Sequence, residues 1–183
     1  MVSNSNDLSG LSVLGCFAHP DDEGFGAGGT LAMLVDRGAQ VTLVCATNGD
    51  VGEISDPALA TPENLYQVRQ AELRDAMTVT GIQEVRFLHY RDSGMAGTAD
   101  NDHHNSLSQA QPNKHAERLT EIMLEVKPDL VMTHDPTGGY GHPDHISVCE
   151  AVTQAFPAVV NSLASRDNSG TIGRAHVGTP VTP

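Results

Sequence analysis

The sequence predicts an α/β fold: a Rossmann-like, mostly parallel sheet with helices on both faces, in three layers. Short apolar segments alternate with helix-length segments in the order β-α-β-α-β-α-β-α. This alternation is typical of parallel sheets, because parallel strands need crossover connections that are usually helical. The chain has 183 residues, enough for one domain with a substantial core. We expect that core to be aliphatic, since aromatic residues make up 4% of the chain and tryptophan is absent.

Four segments have the length and composition of buried strands. The first, LSVLGCFA (11–18), is an apolar run that ends abruptly at His19. The other three are QVTLVCAT (40–47), EVRFLHY (84–90) and DLVMTH (129–134). In doubly wound sheets, ligands bind beyond the carboxyl ends of the strands. The polar residues that follow the first and fourth strands should therefore converge in space.

Glycine and proline mark the predicted helices. The segment 28–38 ends at Gly38, a usual C-terminal stop. The segment 61–81 begins with Thr61 as N-cap and Pro62 at the first helical position. Residues 115–127 place their apolar side chains on one stripe, and a last helix covers 142–156. The polar segment 91–114 is a long loop, which in a compact domain indicates function.

The two ends of the chain differ from the rest in composition. We expect residues 1–10 to be disordered, residues 11–156 to form the domain, and residues 157–183 to be a disordered or artefactual tail. The tail shows no periodicity, and its IGRAHVGTPVT resembles a translated sequencing adapter. We therefore expect the chain to be truncated at its C-terminus. SVLGC before Cys16 resembles a lipoprotein cleavage site, but no basic residue precedes it, so a signal peptide is disfavoured.

Charge and cysteine content limit the partners that the chain can have. The net charge is −13, with 23 acidic residues against 10 lysines and arginines, and no basic cluster occurs. Nucleic acid and an anionic membrane surface are therefore disfavoured as partners. No segment approaches a membrane span. Three scattered cysteines do not make a disulfide framework, so we expect a cytoplasmic protein; a homo-oligomer is left open.

A glycine pattern follows the first strand. Gly24, Gly26 and Gly29 match G-x-G-x-x-G, and Asp50 lies at about the spacing expected of a dinucleotide fingerprint. Three acids stand between the strand and these glycines, however, and carboxylates would repel a diphosphate. We expect the glycines to let the next helix start close under the site. A nucleotide- or sugar-binding module without hydrolytic activity remains an alternative.

Two His-Pro-Asp elements favour a metal site instead. HPDDE after the first strand and GGYGHPDH after the fourth together offer histidines and carboxylates. A catalytic zinc takes three such ligands and keeps a fourth position for water. His142 and His145, three residues apart, share one face of a helix start. The remaining carboxylate and histidine would then carry protons. We expect structural roles for His89, His103, His104 and His115, while His134 is left open.

These motifs resemble the LmbE-like (PIG-L) family of N-acetylglucosaminyl deacetylases. The opening signature stands at 18–23 (AHPDDE) and the second at 142–145 (HPDH), and the resemblance covers roughly residues 11–156. RQAEL (69–73), RDSGMAG (91–97) and DPTGGYGHPDH (135–145) resemble the mycothiol-pathway deacetylase and amidase branch. The family resemblance implies a Rossmann-like fold, in agreement with the strand pattern.

The resemblance also implies a ligand set and two proton carriers. It makes His19, Asp22 and His145 the ligands of a zinc ion, with ferrous iron as the other metal that this set could hold. Asp21 matches the general base, and His142 matches the general acid.

Four further residues match supporting positions of the family. Asp144 would orient His142, and Tyr140 would assist at the oxyanion. Arg69 and Asp92 would hold the sugar. The implied activity is zinc-dependent removal of the acetyl group from a small N-acetylglucosamine-type substrate. Amide cleavage in a sugar–thiol conjugate is the alternative that the same site allows.

Overall fold

The computed structural model describes residues 7–166 and 176–178, and its centre is a parallel sheet. Within these described residues, five strands lie in the order β3-β2-β1-β4-β5, and every neighbouring pair is parallel. The strands are β1 (Ser12–Phe17), β2 (Gln40–Thr47), β3 (Glu84–Tyr90), β4 (Leu130–Met132) and β5 (His176–Gly178). The predicted α/β class with a parallel sheet is confirmed.

Helices cover both faces of this sheet. They are α1 (Asp22–Gly26), α2 (Gly28–Asp36), α3 (Leu65–Thr80), α4 (Pro112–Val126) and α5 (Pro143–Arg166). On one face, Leu31 of α2 and Met77 of α3 share a buried apolar cluster with sheet residues. On the other face, Leu119 of α4 and Val152 of α5 do the same. The two clusters give the predicted three layers, and aliphatic side chains dominate both.

Two helix starts differ from the sequence prediction. The helix α3 begins at Leu65, because residues 61–64 form a turn in which the Asn64 side chain accepts a hydrogen bond from the Thr61 N–H at 2.7 Å. The predicted N-cap at Thr61 is therefore wrong, and Asn64 occupies that position. The helix α4 starts at Pro112, at the first helical position, where its missing N–H costs nothing.

The end of α5 also differs. The prediction that the helix ends near Phe156 is wrong, since α5 continues through Pro157 to Arg166. A proline inside a helix removes one backbone hydrogen bond and disfavours helix. Packing compensates here, because Ala155 and Val159, four residues apart, are both buried in the cluster that contains Val152.

The two expected disordered ends lie partly within the described residues. The Leu8 N–H donates to the Arg37 carbonyl at 2.8 Å, so the chain is already docked before residue 11. In the expected tail, residues 157–166 are helical and residues 176–178 pair with β4. The rest of these segments (1–6, 167–175 and 179–183) lies outside the described residues. Within the described part of the chain, no helix combines the length and apolar character of a membrane span.

Strand order places the two polar elements side by side. The central strand β1 pairs with β4, and both run in the same direction. His19 follows β1 directly, while residues 133–145 follow β4 and lead into α5. A ring nitrogen of His19 lies 3.2 Å from a ring nitrogen of His145, although 126 residues separate the two in sequence. The predicted convergence of the two elements is confirmed.

Candidate metal centre

A tight turn after β1 brings His19 and Asp22 together. The His19 N–H donates to Asp22 Oδ2 at 2.7 Å, which folds the carboxylate back under the imidazole. Between them, Asp21 has a φ of 155°, a backbone conformation that residues other than glycine rarely adopt. The following short helix α1 starts at Asp22, so its carboxylate lies near the positive end of the helix.

The three residues that the resemblance implies as ligands form a close triangle. Nε2 of His145 lies 3.2 Å from Nδ1 of His19 and 3.2 Å from Oδ1 of Asp22. Nδ1 of His19 lies 3.2 Å from Oδ2 of the same carboxylate. In a tetrahedral zinc site with bonds of about 2.05 Å, neighbouring ligand atoms are roughly 3.3 Å apart. The donor types and their spacing therefore fit a divalent cation.

Further imidazoles and carboxylates surround this triangle in overlapping sets. Within each set, one nitrogen or oxygen from every member lies within 4.8 Å of the others. The sets are His19–His142–His145, His19–Asp92–His142–Asp144 and Asp22–His134–His145. Such a concentration of buried and half-buried donors around one point indicates a metal-binding centre.

The second nitrogen of His19 is held by carboxylates on the far side of the ring. Its Nε2 lies 3.2 Å from Oδ2 of Asp144 and 3.5 Å from Oδ1 of Asp92. The Ser93 N–H donates to the same Asp144 oxygen at 2.9 Å. A carboxylate behind a metal-binding histidine fixes its tautomer and leaves the opposite nitrogen free for the metal.

Asp144 is fully buried, and its second carboxylate oxygen has no hydrogen-bond partner among the described residues. A buried, unpaired carboxylate oxygen is costly unless a polar group or cation compensates it. Sequence reasoning assigns Asp144 to His142. In the structure its carboxylate bonds to His19, and its backbone N–H donates to Nδ1 of His142 at 3.2 Å.

Charges in the cluster are strongly coupled. Burial opposes the charged form of His19, but hydrogen bonds to Asp144, Asp22 and Asp92 outweigh it and hold its pKa well above the ordinary value. Burial likewise opposes the charge of Asp22, yet its contacts with the imidazoles of His134, His145 and His19 keep its pKa far below the usual range. The pKa of Asp92 falls to about 2 because its contacts with His19 outweigh burial. The carboxylates thus stay ionised, as cation ligands must.

A cavity of about 820 Å³ opens beside the cluster, lined by His19, Asp21, Asp22, Arg69, Asp92, Tyr140 and His142 among others. Burial and the charge of His19 lower the pKa of His142. Tyr140 is 69% exposed, and its ring centroid lies 5.3 Å from that of His145. All residues with predicted catalytic or sugar-binding roles, apart from the buried Asp144, therefore line one cavity.

Three hydrogen bonds hold the guanidinium of Arg69 at the edge of this cavity. It donates to Asp21 at 2.6 Å, to the Pro20 carbonyl at 3.0 Å and to the Gly49 carbonyl at 3.2 Å. Burial raises the pKa of Asp21, and the positive charge of Arg69 opposes that rise. Arg69 thus fixes the Asp21 carboxylate; its predicted contact with the sugar stays a prediction.

Sequence reasoning left His134 open, and the structure places it in the cluster. Its Nε2 accepts the Ala18 N–H at 3.0 Å and lies 3.5 Å from Oδ2 of Asp22. Burial lowers its pKa despite the nearby carboxylate. Its position directly after β4 was the signal in the sequence. By contrast, His89, His103, His104 and His115 belong to none of the donor sets.

The glycine segment does not behave as expected. A Cβ built on Gly24, Gly26 or Gly29 would meet no atom within 4 Å, so packing does not require glycine there. The expectation that these glycines let a helix approach the site closely is wrong. Asp50 accepts the Asp92 N–H at 3.3 Å and so supports the loop beside the cluster.

The chain combines a parallel sheet with imidazoles and carboxylates at the carboxyl edge of that sheet. Metal-dependent hydrolases of the α/β class bind their ion with donors of this kind at this edge. A family model described as PIG-L, GlcNAc-PI de-N-acetylase, matches residues 14–156. The chain belongs to this PIG-L family.

Relatives of known name support the family assignment. A 1D-myo-inositol 2-acetamido-2-deoxy-alpha-D-glucopyranoside deacetylase from Kineococcus radiotolerans is 41% identical over 178 residues, covering 89% of this chain and 48% of the relative. A deacetylase of the same name from Actinosynnema mirum is 44% identical over 150 residues, covering 77% of this chain and 53% of the relative. The chain thus spans about half the length of these relatives.

Solved structures share the fold. An N,N'-diacetylchitobiose deacetylase from Pyrococcus horikoshii matches with a TM-score of 0.63 and 30% identity, covering 87% of this chain and 57% of that one. The 4-carboxy-2-hydroxymuconate hydratase GalB from Pseudomonas putida KT2440 matches with a TM-score of 0.60 and 22% identity, covering 93% of this chain and 63% of that one. Because the second protein is a hydratase, the fold alone does not decide the reaction.

Proposed function

We propose that this chain is the metal-binding part of an N-deacetylase that removes the acetyl group from an N-acetylglucosamine-type glycoside, with GlcNAc-inositol as the first substrate to test. The observation that carries the proposal is the His19–Asp22–His145 triangle, in which the two imidazole nitrogens lie 3.2 Å apart and each lies 3.2 Å from one oxygen of the Asp22 carboxylate, beside a cavity that Asp21 and His142 also line. The names of the relatives supply the substrate.

The triangle holds the metal in this proposal, with zinc as the preferred ion and ferrous iron as the second choice. A divalent cation bound there supplies a lowered pKa for a bound water and polarises an amide carbonyl. Imidazole and carboxylate ligands suit both ions. Asp144 and the Ser93 N–H hold His19 so that its Nδ1 faces the other two ligands.

Asp21 and His142 carry the protons. Asp21 accepts a proton from the attacking water, and Arg69 keeps its carboxylate in place at 2.6 Å. His142 donates a proton to the leaving amine, which is otherwise a poor leaving group. The exposed phenol of Tyr140 moves over the carbonyl and donates to the developing oxyanion. Asp92 holds a sugar hydroxyl at the cavity wall.

The test is acetate and amine release from GlcNAc-inositol by the zinc-loaded chain, compared with its Asp21→Asn variant. The variant should keep its bound metal and lose roughly 10²–10⁴-fold in turnover, the usual worth of a general base. Asp75→Asn, an exposed change on α3, is the matched control and should leave both readouts unchanged. Full turnover by Asp21→Asn would refute the base assignment. Stoichiometric metal without any hydrolysis would favour the binding module.

The cavity wall favours one second candidate, amide cleavage in a sugar–thiol conjugate. Apolar side chains of Val51, Ile54, Leu59 and Met95 line the cavity. An acetyl group is too small to contact these side chains, whereas a larger acyl group would bury apolar surface against them. Comparing kcat/KM for an acetylated and a long-acyl glycoside decides between the two candidates, and Leu59→Ser should slow only the long-acyl substrate.

A further inference from the structure

His134 contacts the predicted ligand His145 through its ring face. We propose that His134 is a positioning residue that holds the His145 imidazole in its metal-binding orientation by ring stacking. The inference rests on the metal centre of the proposed function and adds a residue to its support.

Among the described residues, His145 lacks the hydrogen bond to its second ring nitrogen that metal-binding histidines usually have. Such a histidine normally donates its second ring N–H to a carboxylate, a carbonyl or a water, and this hydrogen bond fixes the ring. His19 follows that rule, because its Nε2 bonds to Asp144. The Nε2 of His145 faces His19 and Asp22, and no described residue makes a hydrogen bond to its Nδ1. In the part of the chain that the structure describes, packing against the ring is therefore the contact that can set its plane.

The ring of His134 supplies that contact. Its centroid lies 4.0 Å from that of His145, with an interplanar angle of 10°. The ring of His142 is farther away and less parallel, at 5.0 Å and 27°. Rings in such close contact gain dispersion energy over their whole faces, and rotation of either ring out of the stack would lose it.

His134 is itself anchored to the sheet. Its Nε2 accepts the Ala18 N–H at 3.0 Å, and the ring meets Phe17 edge-on at 5.5 Å and 88°. Phe17 is the last residue of β1, the central strand of the sheet, and Ala18 follows it directly. Because the Ala18 N–H occupies the lone pair of Nε2, this nitrogen is not available to a cation. His134 thus supports the ligand set without joining it.

The experiment measures zinc affinity by competition with a chromophoric chelator for the full chain and two variants. His134→Phe keeps a flat ring against His145, and His134→Ala removes it. We expect zinc affinity within about threefold of wild type for the Phe variant and a loss of roughly 10–100-fold for the Ala variant, the range seen when support of a ligand is removed. Zinc stoichiometry should stay unchanged in both. His104→Ala, in an exposed loop, is the control.

Both variants lose the acceptor for the Ala18 N–H, so the loss of this hydrogen bond cancels in the comparison. Equal loss of affinity in the two variants, or none in the Ala variant, would overturn the stacking role. Loss of zinc stoichiometry in the Phe variant would make His134 a ligand instead. The readout needs no substrate, so a wild-type chain that binds zinc but releases no acetate refutes the proposed function alone. A wild-type chain that binds no zinc refutes both.

Discussion

The carboxylate of Asp144 lies 3.2 Å from Nε2 of His19, across 125 residues of sequence. This contact joins the loop after β1 to the first turn of α5, and the Ser93 N–H joins the loop after β3 to the same oxygen. Two loops and the start of α5 therefore meet at one buried carboxylate at the carboxyl edge of the sheet. The orientation of His19, and with it the ligand triangle, depends on that carboxylate.

Asp144→Asn should weaken zinc binding without abolishing it. The amide keeps the shape of the side chain but loses the charge that favours Nε2–H on His19, and outer support of this kind is worth roughly 10–100-fold in metal affinity. Competition with a chelator measures the loss. Asp102→Asn, in the exposed loop, is the control. Unchanged affinity in Asp144→Asn would show that Asp144 does not set the tautomer of His19.

Gly138→Ala should distort the start of α5 and weaken metal binding. Gly138 has a φ of 68°, and a Cβ there would lie 2.8 Å from the His142 carbonyl oxygen and 3.3 Å from Cβ of His145. The matched control is Gly141→Ala, with a φ of 86° and no atom within 4 Å of its Cβ. The left-handed conformation alone costs an alanine roughly 1–2 kcal/mol, which both variants share. The extra destabilisation of Gly138→Ala in denaturant unfolding therefore measures the clash, and equal losses would contradict it.

The strands and the meeting of the two His-Pro-Asp elements could be predicted because both depend on local pattern. The apolar runs predict both ends of β2 and β3 correctly. Because ligands bind beyond the carboxyl ends of parallel strands, the strand pattern also predicts that His19 lies near His145, as the structure shows. Boundaries set by tertiary packing could not be predicted, and α5 shows why. The sequence predicts that the helix ends near Phe156. In the structure α5 continues through Pro157, because Val159 is buried in the cluster against the sheet.

Side-chain partners inside the cluster were the least predictable part of the site. The family resemblance pairs Asp144 with His142, whereas in the structure the carboxylate of Asp144 contacts His19 and the Ser93 N–H, which come from other loops. In the sequence, only the position of His134 after β4 indicates that it lies near the site. Its stack on His145 depends on strand adjacency, which no local pattern records.

His115 should make the stability of the fold depend on pH. It is 1% exposed, and burial together with the charge of Arg118 lowers its pKa to about 4, against a smaller opposing effect of Asp144. The unfolded chain, with an ordinary pKa near 6.5, binds the extra proton between about pH 4 and 6.5. His115 therefore makes its full contribution to the free energy of unfolding above about pH 6.5, the pKa in the unfolded chain. This contribution, about 3 kcal/mol at most, is lost as the pH falls toward 4.

Denaturant unfolding between pH 4 and 7 measures this slope. His115→Gln removes the titrating ring, so the free energy of unfolding should vary less with pH than in wild type. His104→Gln, at an exposed position, should keep the wild-type slope. Parallel slopes for wild type and His115→Gln would show that other groups cause the pH dependence.

The charge of the cavity predicts discrimination against phosphorylated substrates. Exposed carboxylates of Glu53, Asp56 and Glu72 line it, and none of them has an ion pair among the described residues. The arginine of the cavity, Arg69, is already engaged with Asp21. A phosphate on the aglycone would meet uncompensated negative charge, whereas the inositol glycoside named for the relatives carries none. We expect kcat/KM to favour GlcNAc-inositol over its phosphate ester by about tenfold or more at low salt.

Two experiments distinguish the effect of the cavity charge from that of the cavity shape: raising the ionic strength and neutralising two carboxylates. Screening shortens from about 10 Å at 0.1 M salt to about 3 Å at 1 M, so the preference should shrink as salt rises. The double variant Glu53→Gln/Glu72→Gln should speed the phosphate ester several-fold and leave the neutral glycoside within about twofold, since a neutral ring feels little of a charge at the cavity wall. Glu121→Gln, exposed on α4, should change neither rate. A preference that persists at high salt and in the double variant would mean that the shape of the cavity, not its charge, selects the substrate.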